Sequence, residues 1–262
     1  MTGIKSVSAF DYSDDLIFSD SLTVKNTTNW DYGTNYASDI TTDSGWMKIT
    51  GGAITNSGIL SKQSFGNNIY EIKVKGDSAM PDGDSNGNIN RLLNMTIFNS
   101  TSNIASFGGS GYVVFSWRYQ GTYKAVMMNR DGWTPVSAYT TLTGIDCTQE
   151  HTVRITALSD STKATFIQGD HKITLSIGTD SKRLSSGKVA LYSGVANMLY
   201  IKDFKVYDAD TIEKITVNGE DLSDFDKRIA NYTDTTERVS MPAVAGIAKD
   251  TNRIPTVSYD NA

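Results

Sequence analysis

Short runs of alternating hydrophobic and polar residues recur along most of this chain. In the run IYEIKVK, at residues 69–75, Tyr70, Ile72 and Val74 alternate with charged residues. A period of two is typical of a β-strand that has one face in the core and the other in water. The pattern therefore predicts a strand here, with these three side chains buried.

Similar segments occur throughout, separated by Gly, Asn, Asp and Ser. They include AFDYS, WMKIT, AITNSGIL, RLLNMTIFN, GYVVFSWRYQ, TYKAVMMNR, HTVRITAL, TKATFIQG, HKITLSIG, GKVALYSG and MLYIKDFKVYD. Short strands at this spacing are typical of antiparallel sandwiches and barrels, and helical periodicity is nearly absent. Because roughly a dozen strands need two packed sheets, we predict an all-β, two-sheet antiparallel jelly-roll sandwich with a small C-terminal β extension.

The character of the sequence changes after residue 209. Residues 1–209 hold the sandwich strands, whereas residues 210–262 hold only roughly two or three plausible strands, too few to bury a core alone. We therefore predict a jelly-roll domain at 1–209, followed at 210–262 by part of a second β-module or a linker.

Composition and charge limit the partners of the chain. Its 262 residues are 39% hydrophobic, which supports a buried core, and the net charge is -5 with no run of Lys or Arg. These values argue against a nucleic-acid partner. No segment approaches the roughly 18 consecutive apolar residues of a membrane span, and the N-terminus lacks the pattern of a signal peptide. We expect no membrane insertion by the chain as written.

Cys147 is the single cysteine, so we expect no internal disulfide. Only His151 and His171 are available to join it, which is too few ligands for a Cys/His zinc site. We interpret Cys147 as a small, half-buried apolar residue.

Three blocks of sequence carry a resemblance to a known family. They are AFDYSDDL at 9–16, GWMKITGGAITNSGIL at 45–60 and GKVALYSGVANMLYIKDFKVYD at 187–208. Together they resemble the concanavalin A-like (laminin G-like) jelly-roll domains attached to bacterial polysaccharide-degrading enzymes. The resemblance implies a sandwich of the carbohydrate-binding-module type over most of the chain, with oligo- or polysaccharide as its partner.

The C-terminal part carries a second resemblance. Its segments ITVNGEDLSDFD, NYT and MPAVAGIAKD resemble the start of the small cadherin-like or immunoglobulin-like modules of the same multidomain enzymes. We therefore expect the chain to be a piece of a longer bacterial protein, extracellular or on the cell surface, whose other domains are its neighbours.

Catalysis is not expected. Glycosidases of this fold need two carboxylates about 5 to 9.5 Å apart, usually supplied by Glu-x-Asp-x-x-Glu on one strand. None of the glutamates lies in such a cluster, and no Gly-x-Ser-x-Gly elbow is present. These glutamates are Glu71, Glu150, Glu213, Glu220 and Glu237.

The segment DGDSNGN, at 82–88, is the strongest local motif. Its residues Asp82, Asp84, Asn86 and Asn88 present alternating oxygens, as in the first half of an EF-hand calcium loop. Leu93 stands where that loop has a bidentate Glu. Two interpretations stay open: a structural calcium site, and a polar loop rich in turn-forming residues.

Aromatic residues in polar loops are candidates for sugar contact, since the C–H faces of sugars pack on Trp and Tyr. Trp30 and Tyr32 lie in NTTNWDYGTNY, and Arg130 and Trp133 lie in NRDGWTP. Trp46, by contrast, is interpreted as a core residue.

The strand at 111–119 supplies two further candidates. Its alternation predicts Val113, Phe115 and Trp117 on the core side, with Tyr112 and Arg118 on the opposite, concave face, where such folds commonly hold glycans. An Arg there could donate paired hydrogen bonds to hydroxyls or to a carboxylate.

The sequence thus predicts a noncatalytic carbohydrate-binding module that holds a larger glycan-active enzyme or surface protein on polysaccharide. Two alternatives stay open. One is an adhesion or receptor-binding domain of a phage tail or cell surface, and the other is a divergent glycoside hydrolase of the same fold.

Overall fold

The computed structural model describes most of the chain up to Ala209 and three short segments after it. These residues are 16–32, 39–51, 57–77, 82–83, 85, 91–100, 111–129, 134–158, 161–177, 186–193, 198–209, 212–217, 220–221 and 244–248. One compact unit spans Asp15–Tyr207, and the chain from Asp208 onward belongs to a second unit. The described ranges contain no α-helix, and therefore no helix that could cross a membrane.

Strands account for most of the described residues. In chain order they are β1 (Leu16–Asp20), β2 (Trp30–Asp31), β3 (Ile40–Asp43), β4 (Trp46–Thr50), β5 (Ser57–Phe65), β6 (Asn68–Gly76), β7 (Arg91–Asn99), β8 (Tyr112–Tyr119), β9 (Thr122–Asn129), β10 (Thr134–Pro135), β11 (Thr140–Thr141), β12 (His151–Ala157), β13 (Thr162–Gln168), β14 (His171–Ile177), β15 (Gly187–Ser193), β16 (Met198–Asp208), β17 (Ile212–Val217), β18 (Glu220–Asp221) and β19 (Val244–Ala248).

These strands form two large antiparallel sheets and one small sheet. The first sheet has the order β14-β13-β12-β6-β16-β4-β3, and β1 also pairs with β16. The second sheet has the order β10-β9-β8-β7-β15-β5-β2, and β11 also pairs with β9. The small sheet, with the order β18-β17-β19, belongs to the second unit, and its immunoglobulin-like or cadherin-like identity stays a prediction.

The core lies between the inner faces of the two large sheets. Strand β6 shows the predicted alternation, since Tyr70, Ile72 and Val74 are buried while the residues between them are partly exposed. These side chains share one hydrophobic cluster with inner-face residues of the second sheet such as Met95 and Val114. The predicted all-β, two-sheet antiparallel sandwich is therefore confirmed.

Asp20, at the end of β1, fixes the segment that leads into β2. Its Oδ2 atom accepts hydrogen bonds from Asn26 Nδ2 at 2.9 Å, Asn29 Nδ2 at 2.7 Å and Trp30 Nε1 at 3.1 Å. Its Oδ1 atom accepts one from the backbone N–H of Leu22 at 2.9 Å. One buried carboxylate thus satisfies four donors, and this is what allows a polar segment to enter the sandwich.

Trp30 and Tyr32 consequently lie in the core and are not exposed loop residues. The exposed fraction of Trp30 is 0% and that of Tyr32 is 7%. The Trp30 ring packs edge to face on Phe204, with 5.3 Å between ring centroids, and Tyr32 Oη accepts a hydrogen bond from the backbone N–H of Asn26 at 2.8 Å. The prediction that these two aromatics form a surface for sugar is wrong, because their polar atoms are satisfied internally.

His151 lies at the start of β12, with its ring inside the sandwich. It stacks on Phe166, with centroids 6.1 Å apart, and Nδ1 donates to the backbone oxygen of Gln149 at 3.0 Å. Burial lowers the pKa of His151, because the imidazolium form would lose its hydration. The neighbouring Cys147 is fully buried rather than half-buried, and burial raises the pKa of its thiol.

We expect Asp20→Ala to lower the free energy of unfolding by about 3 kcal/mol or more, because several buried donors lose a charged acceptor. Urea denaturation followed by tryptophan fluorescence measures this change. Asp43→Ala is the matched control, since Asp43 is exposed and accepts a hydrogen bond from Ser44 Oγ in its own turn. Equal effects of the two substitutions would contradict the role assigned to Asp20.

The lowered pKa of His151 predicts a loss of stability in mild acid. The unfolded chain takes up a proton on this residue below about pH 6.5 and the folded chain only at lower pH, so between these points the free energy of unfolding falls by up to about 1.4 kcal/mol per pH unit. Urea denaturation between pH 8 and pH 5 should show a shallower dependence in His151→Gln than in the unsubstituted protein. Identical curves for the two proteins would refute this account.

Candidate functional site

The outer face of the second sheet is also buried, and this changes the assignment of β8. Val113, Phe115 and Trp117 form a hydrophobic cluster of their own with Val126 and Met128 of β9. The alternate residues of β8, Tyr112 and Val114, join the core between the sheets instead. The predicted orientation of this strand is therefore wrong. Because residues 112–117 are all buried, alternation of polarity could not show which side was the core.

A polar strip crosses this outer face beside the aromatic cluster. Asn94 of β7 lies directly opposite Phe115 on one side and Tyr192 on the other, so the three side chains share the outer face. Thr96 lies between Val113 and Ala190 in the same way. Both polar side chains have an exposed fraction of 0%.

The polar atoms of this strip are unsatisfied. Asn94 Nδ2, Asn94 Oδ1 and Thr96 Oγ1 have no hydrogen-bond partner in the part of the chain that the structure describes. An unpaired buried donor or acceptor costs about 1 to 3 kcal/mol. These buried polar groups therefore lower the stability of the fold relative to apolar residues at the same positions.

At one end of the face the cluster reaches the surface. Tyr139, from the segment between β10 and β11, is 43% exposed and packs edge to face on Trp117 with centroids 5.8 Å apart. Tyr119 packs against the same cluster, and Lys124 Nζ lies 4.4 Å from the centroid of its ring. We call Trp117, Tyr119, Lys124 and Tyr139 the aromatic rim.

The long strands that carry the aromatic rim contribute no carboxylate to it. The five long strands of the second sheet, β5, β7, β8, β9 and β15, contain neither Asp nor Glu. Glu71 and Glu150, the glutamates whose side chains are described, instead form ion pairs in the first sheet. The rim therefore presents aromatic ring faces, tyrosine hydroxyl groups and the ammonium group of Lys124.

Two residues that the sequence assigned to different sites meet in the structure. Arg118, predicted to bind glycan, has its Nε atom 3.5 Å from Oδ1 of Asp82, predicted to bind calcium. The same oxygen accepts a weak hydrogen bond from the backbone N–H of Gly121 at 3.4 Å, and the N–H of Gly83 donates to the backbone oxygen of Arg118 at 2.7 Å. These contacts attach the Asp82 segment to the β8–β9 turn.

The other predicted site residues divide into two groups. Tyr112 is 1% exposed and lies in the core, so it does not face an open concave surface as predicted. Arg130, Trp133, Asp84, Asn86 and Asn88 lie outside the described residues. The calcium site stays a prediction. Within the described ranges no group of three His, Cys, Asp or Glu side chains could hold a metal ion.

Comparison of the sequence with protein-family models and with curated proteins finds no match. Solved structures do share the architecture. A protein with a galectin-like fold from Bacillus subtilis is 10% identical, with a TM-score of 0.53 over 73% of this chain and 95% of that chain. The κ-carrageenase of Pseudoalteromonas carrageenovora, solved with an oligotetrasaccharide of κ-carrageenan, is 12% identical, with a TM-score of 0.53 over 78% and 99% of the two chains.

Basic winged bean lectin, solved with Tn-antigen, is 10% identical, with a TM-score of 0.53 over 72% of this chain and 96% of that chain. This chain has the jelly-roll β-sandwich fold. At such low identities the likeness shows the fold alone, because one sandwich architecture hosts unrelated functions. Function has to be argued from the side chains that this jelly roll presents.

The sequence interpretation missed the aromatic rim. Tyr139 lies in the short segment SAYTT, and its contact with Trp117 exists only because β10 and β11, which precede and follow Tyr139, both pair with β9. The adjacency of Asn94, Phe115 and Tyr192 likewise depends on the pairing of β7 with both β8 and β15. One signal for the polar strip was present in the sequence: Asn94 and Thr96 interrupt the apolar run between Leu92 and Phe98.

We expect Thr96→Val to leave the free energy of unfolding unchanged or to raise it by about 1 kcal/mol, because a buried hydroxyl without a partner is replaced by a methyl group. Thermal or urea denaturation tests this. Thr165→Val, which removes a hydroxyl bonded to Thr174 Oγ1 at 3.0 Å, provides the comparison. Destabilisation by Thr96→Val of more than about 1 kcal/mol would show that this hydroxyl is satisfied in the folded chain.

Proposed function

We propose that this chain is a noncatalytic carbohydrate-binding domain whose sugar contacts lie at the aromatic rim. The observation that carries the proposal is the exposed Tyr139 ring, which stands on a fully buried Trp117 at 5.8 Å beside Tyr119 and Lys124. A large aromatic held at the surface by another aromatic is pre-ordered, so sugar binding costs little side-chain entropy.

The rim matches the two kinds of surface that a sugar presents. The C–H face of a pyranose packs on an aromatic ring, and its hydroxyls need donors and acceptors at the edge of that ring. Tyr139 supplies the ring and a phenolic hydroxyl, while Lys124 supplies a donor close to Tyr119. These groups favour a shallow contact with one or two sugar units.

The composition of the long strands beneath the rim supports the noncatalytic part of the proposal. Glycoside hydrolysis needs an acid and a second carboxylate on either side of the scissile bond. The long strands beneath the rim contribute neither Asp nor Glu. Glu71 accepts hydrogen bonds from both Nε and Nη2 of Arg154, at 3.0 Å and 2.6 Å, which ties it to a structural role in the first sheet.

The proposal includes a role as a tether. A domain with a shallow sugar site raises the effective concentration of whatever is linked to it, so a modest affinity is sufficient. We therefore propose that the domain holds neighbouring domains of a larger extracellular protein on polysaccharide.

We expect Tyr139→Ala to weaken binding to neutral oligosaccharides by about threefold to tenfold, the size of one aromatic contact. A glycan array identifies the ligand, with calcium present and chelated, and titration calorimetry then measures its affinity for both proteins. The control is Thr165→Ala, which truncates a partly exposed side chain on β13 of the first sheet. It should leave this affinity unchanged.

Three results would contradict the proposal. Unaltered affinity in Tyr139→Ala would remove the rim as the site, and equal loss in both variants would point to a general effect on stability. Release of new reducing ends from polysaccharide by the unsubstituted chain would show that it is an enzyme.

A further inference from the structure

The outer face of the first sheet carries a cluster of cations around two aromatic rings. Its members are Trp46 and Lys48 of β4, Lys75 of β6, and Tyr200 and Lys202 of β16. We call these five residues the lysine patch. It lies on the other sheet from the aromatic rim and plays no part in the proposed function.

The patch is built by strand pairing. Strand β16 lies between β4 and β6, and Tyr200 is directly opposite Lys48. The ammonium group of Lys75 lies 5.1 Å from the centroid of the Tyr200 ring and 4.7 Å from that of Trp46. Lys48 Nζ lies 5.9 Å from the Tyr200 centroid, so two cations flank one tyrosine.

Neighbouring acids compensate only part of this charge. Lys202 Nζ lies 2.9 Å from Glu150 Oε2, and Lys73 Nζ, beside the patch, lies 3.0 Å from Asp203 Oδ2. Lys48 and Lys75 form no ion pair with any carboxylate of the described residues. Within the part of the chain that the structure describes, these two ammonium groups therefore contact aromatic rings and no carboxylate.

The position of these cations is informative because the whole chain is acidic, with a net charge of -5. An anion is repelled by most of such a molecule, so an uncompensated positive patch determines where it can bind. Cation–π contacts also hold the ammonium groups in place, which lowers the entropy cost of presenting them to a ligand.

We propose that the lysine patch binds an anionic polysaccharide through carboxylate or sulfate groups that pair with Lys48 and Lys75. Lys48 lies on β4 and Lys75 on β6, with β16 between them, so the two lysines can contact successive charged groups of an extended chain. The partly exposed Tyr200 lies between them and can pack on the sugar that links these groups.

An anionic membrane surface is a poorer match. Proteins that bind such surfaces combine cations with apolar side chains that enter the lipid. The exposed large hydrophobic residues among the described ones are Leu16, Ile17, Val24 and Tyr139, and none of them belongs to the patch. A sheet face with cations around a tyrosine is better suited to a polymer of charged sugars.

The test is titration calorimetry of the full chain with dextran sulfate, polygalacturonate and neutral dextran, at low and at physiological ionic strength. Dextran sulfate and polygalacturonate separate sulfate from carboxylate as the group recognised. The unsubstituted protein should bind at least one of these polyanions more tightly than dextran, with an affinity that falls as salt is added. The double variant Lys48→Gln/Lys75→Gln should lose about tenfold in that affinity.

Two further double variants separate the patch from overall charge. Lys48→Arg/Lys75→Arg keeps both cations and should retain binding. Lys163→Gln/Lys172→Gln removes the same charge from β13 and β14 of the same sheet and should change the affinity less than twofold. Equal losses in the two Gln variants would overturn the proposal, as would binding to phosphatidylserine vesicles but to neither polyanion.

Hydrogen–deuterium exchange of the unsubstituted protein tests the location without any substitution. Protection of β4 and β16 by dextran sulfate supports the proposal, and protection confined to the second sheet refutes it. Neutral-glycan binding lost in Tyr139→Ala and retained in Lys48→Gln/Lys75→Gln would show that the patch and the aromatic rim act separately. A negative result for one of the two proposed sites therefore does not count against the other.

Discussion

The packing of the two large sheets against each other is the constraint on which the rest of the structure depends. Inner-face side chains such as Val74 and Phe166 of the first sheet share one cluster with Met95 and Val114 of the second. Since side chains alternate along a strand, burial of one face fixes what the other face presents. The same constraint requires Asp20 to satisfy the donors of the segment that enters the core.

The two outer faces differ in chemistry because their strands have different composition. In the first sheet, β6 and β12 alternate between apolar and polar residues, so their outer face carries charges and threonines. In the second sheet, β8 and β9 are apolar on both faces, which requires a second buried layer around Phe115 and Trp117. Exposed Tyr139 on one sheet and uncompensated Lys75 on the other are consequences of this difference.

Asn94 and Thr96 place polar groups on the buried outer face of the second sheet. Hydrophobic side chains at these two positions would make the fold more stable than an amide and a hydroxyl without hydrogen-bond partners. The contact between Arg118 and Asp82 is of a different kind, since it satisfies both charges within the protein and joins a connecting segment to the β8–β9 turn.

The sequence by itself determined where most strands lie, roughly how many there are, and that they form two sheets. This was possible because alternation of polarity is a local property of each strand. The sequence also shows that the glutamates do not form the paired motif that glycosidases use. The tertiary structure decided which face of β8 meets the core, and it placed Trp30 inside and Tyr139 outside. It also brought Lys48 and Lys75 together around Tyr200. These outcomes depend on pairing between strands that are far apart in the chain. The sequence of a single strand does not specify which strands will pair with it.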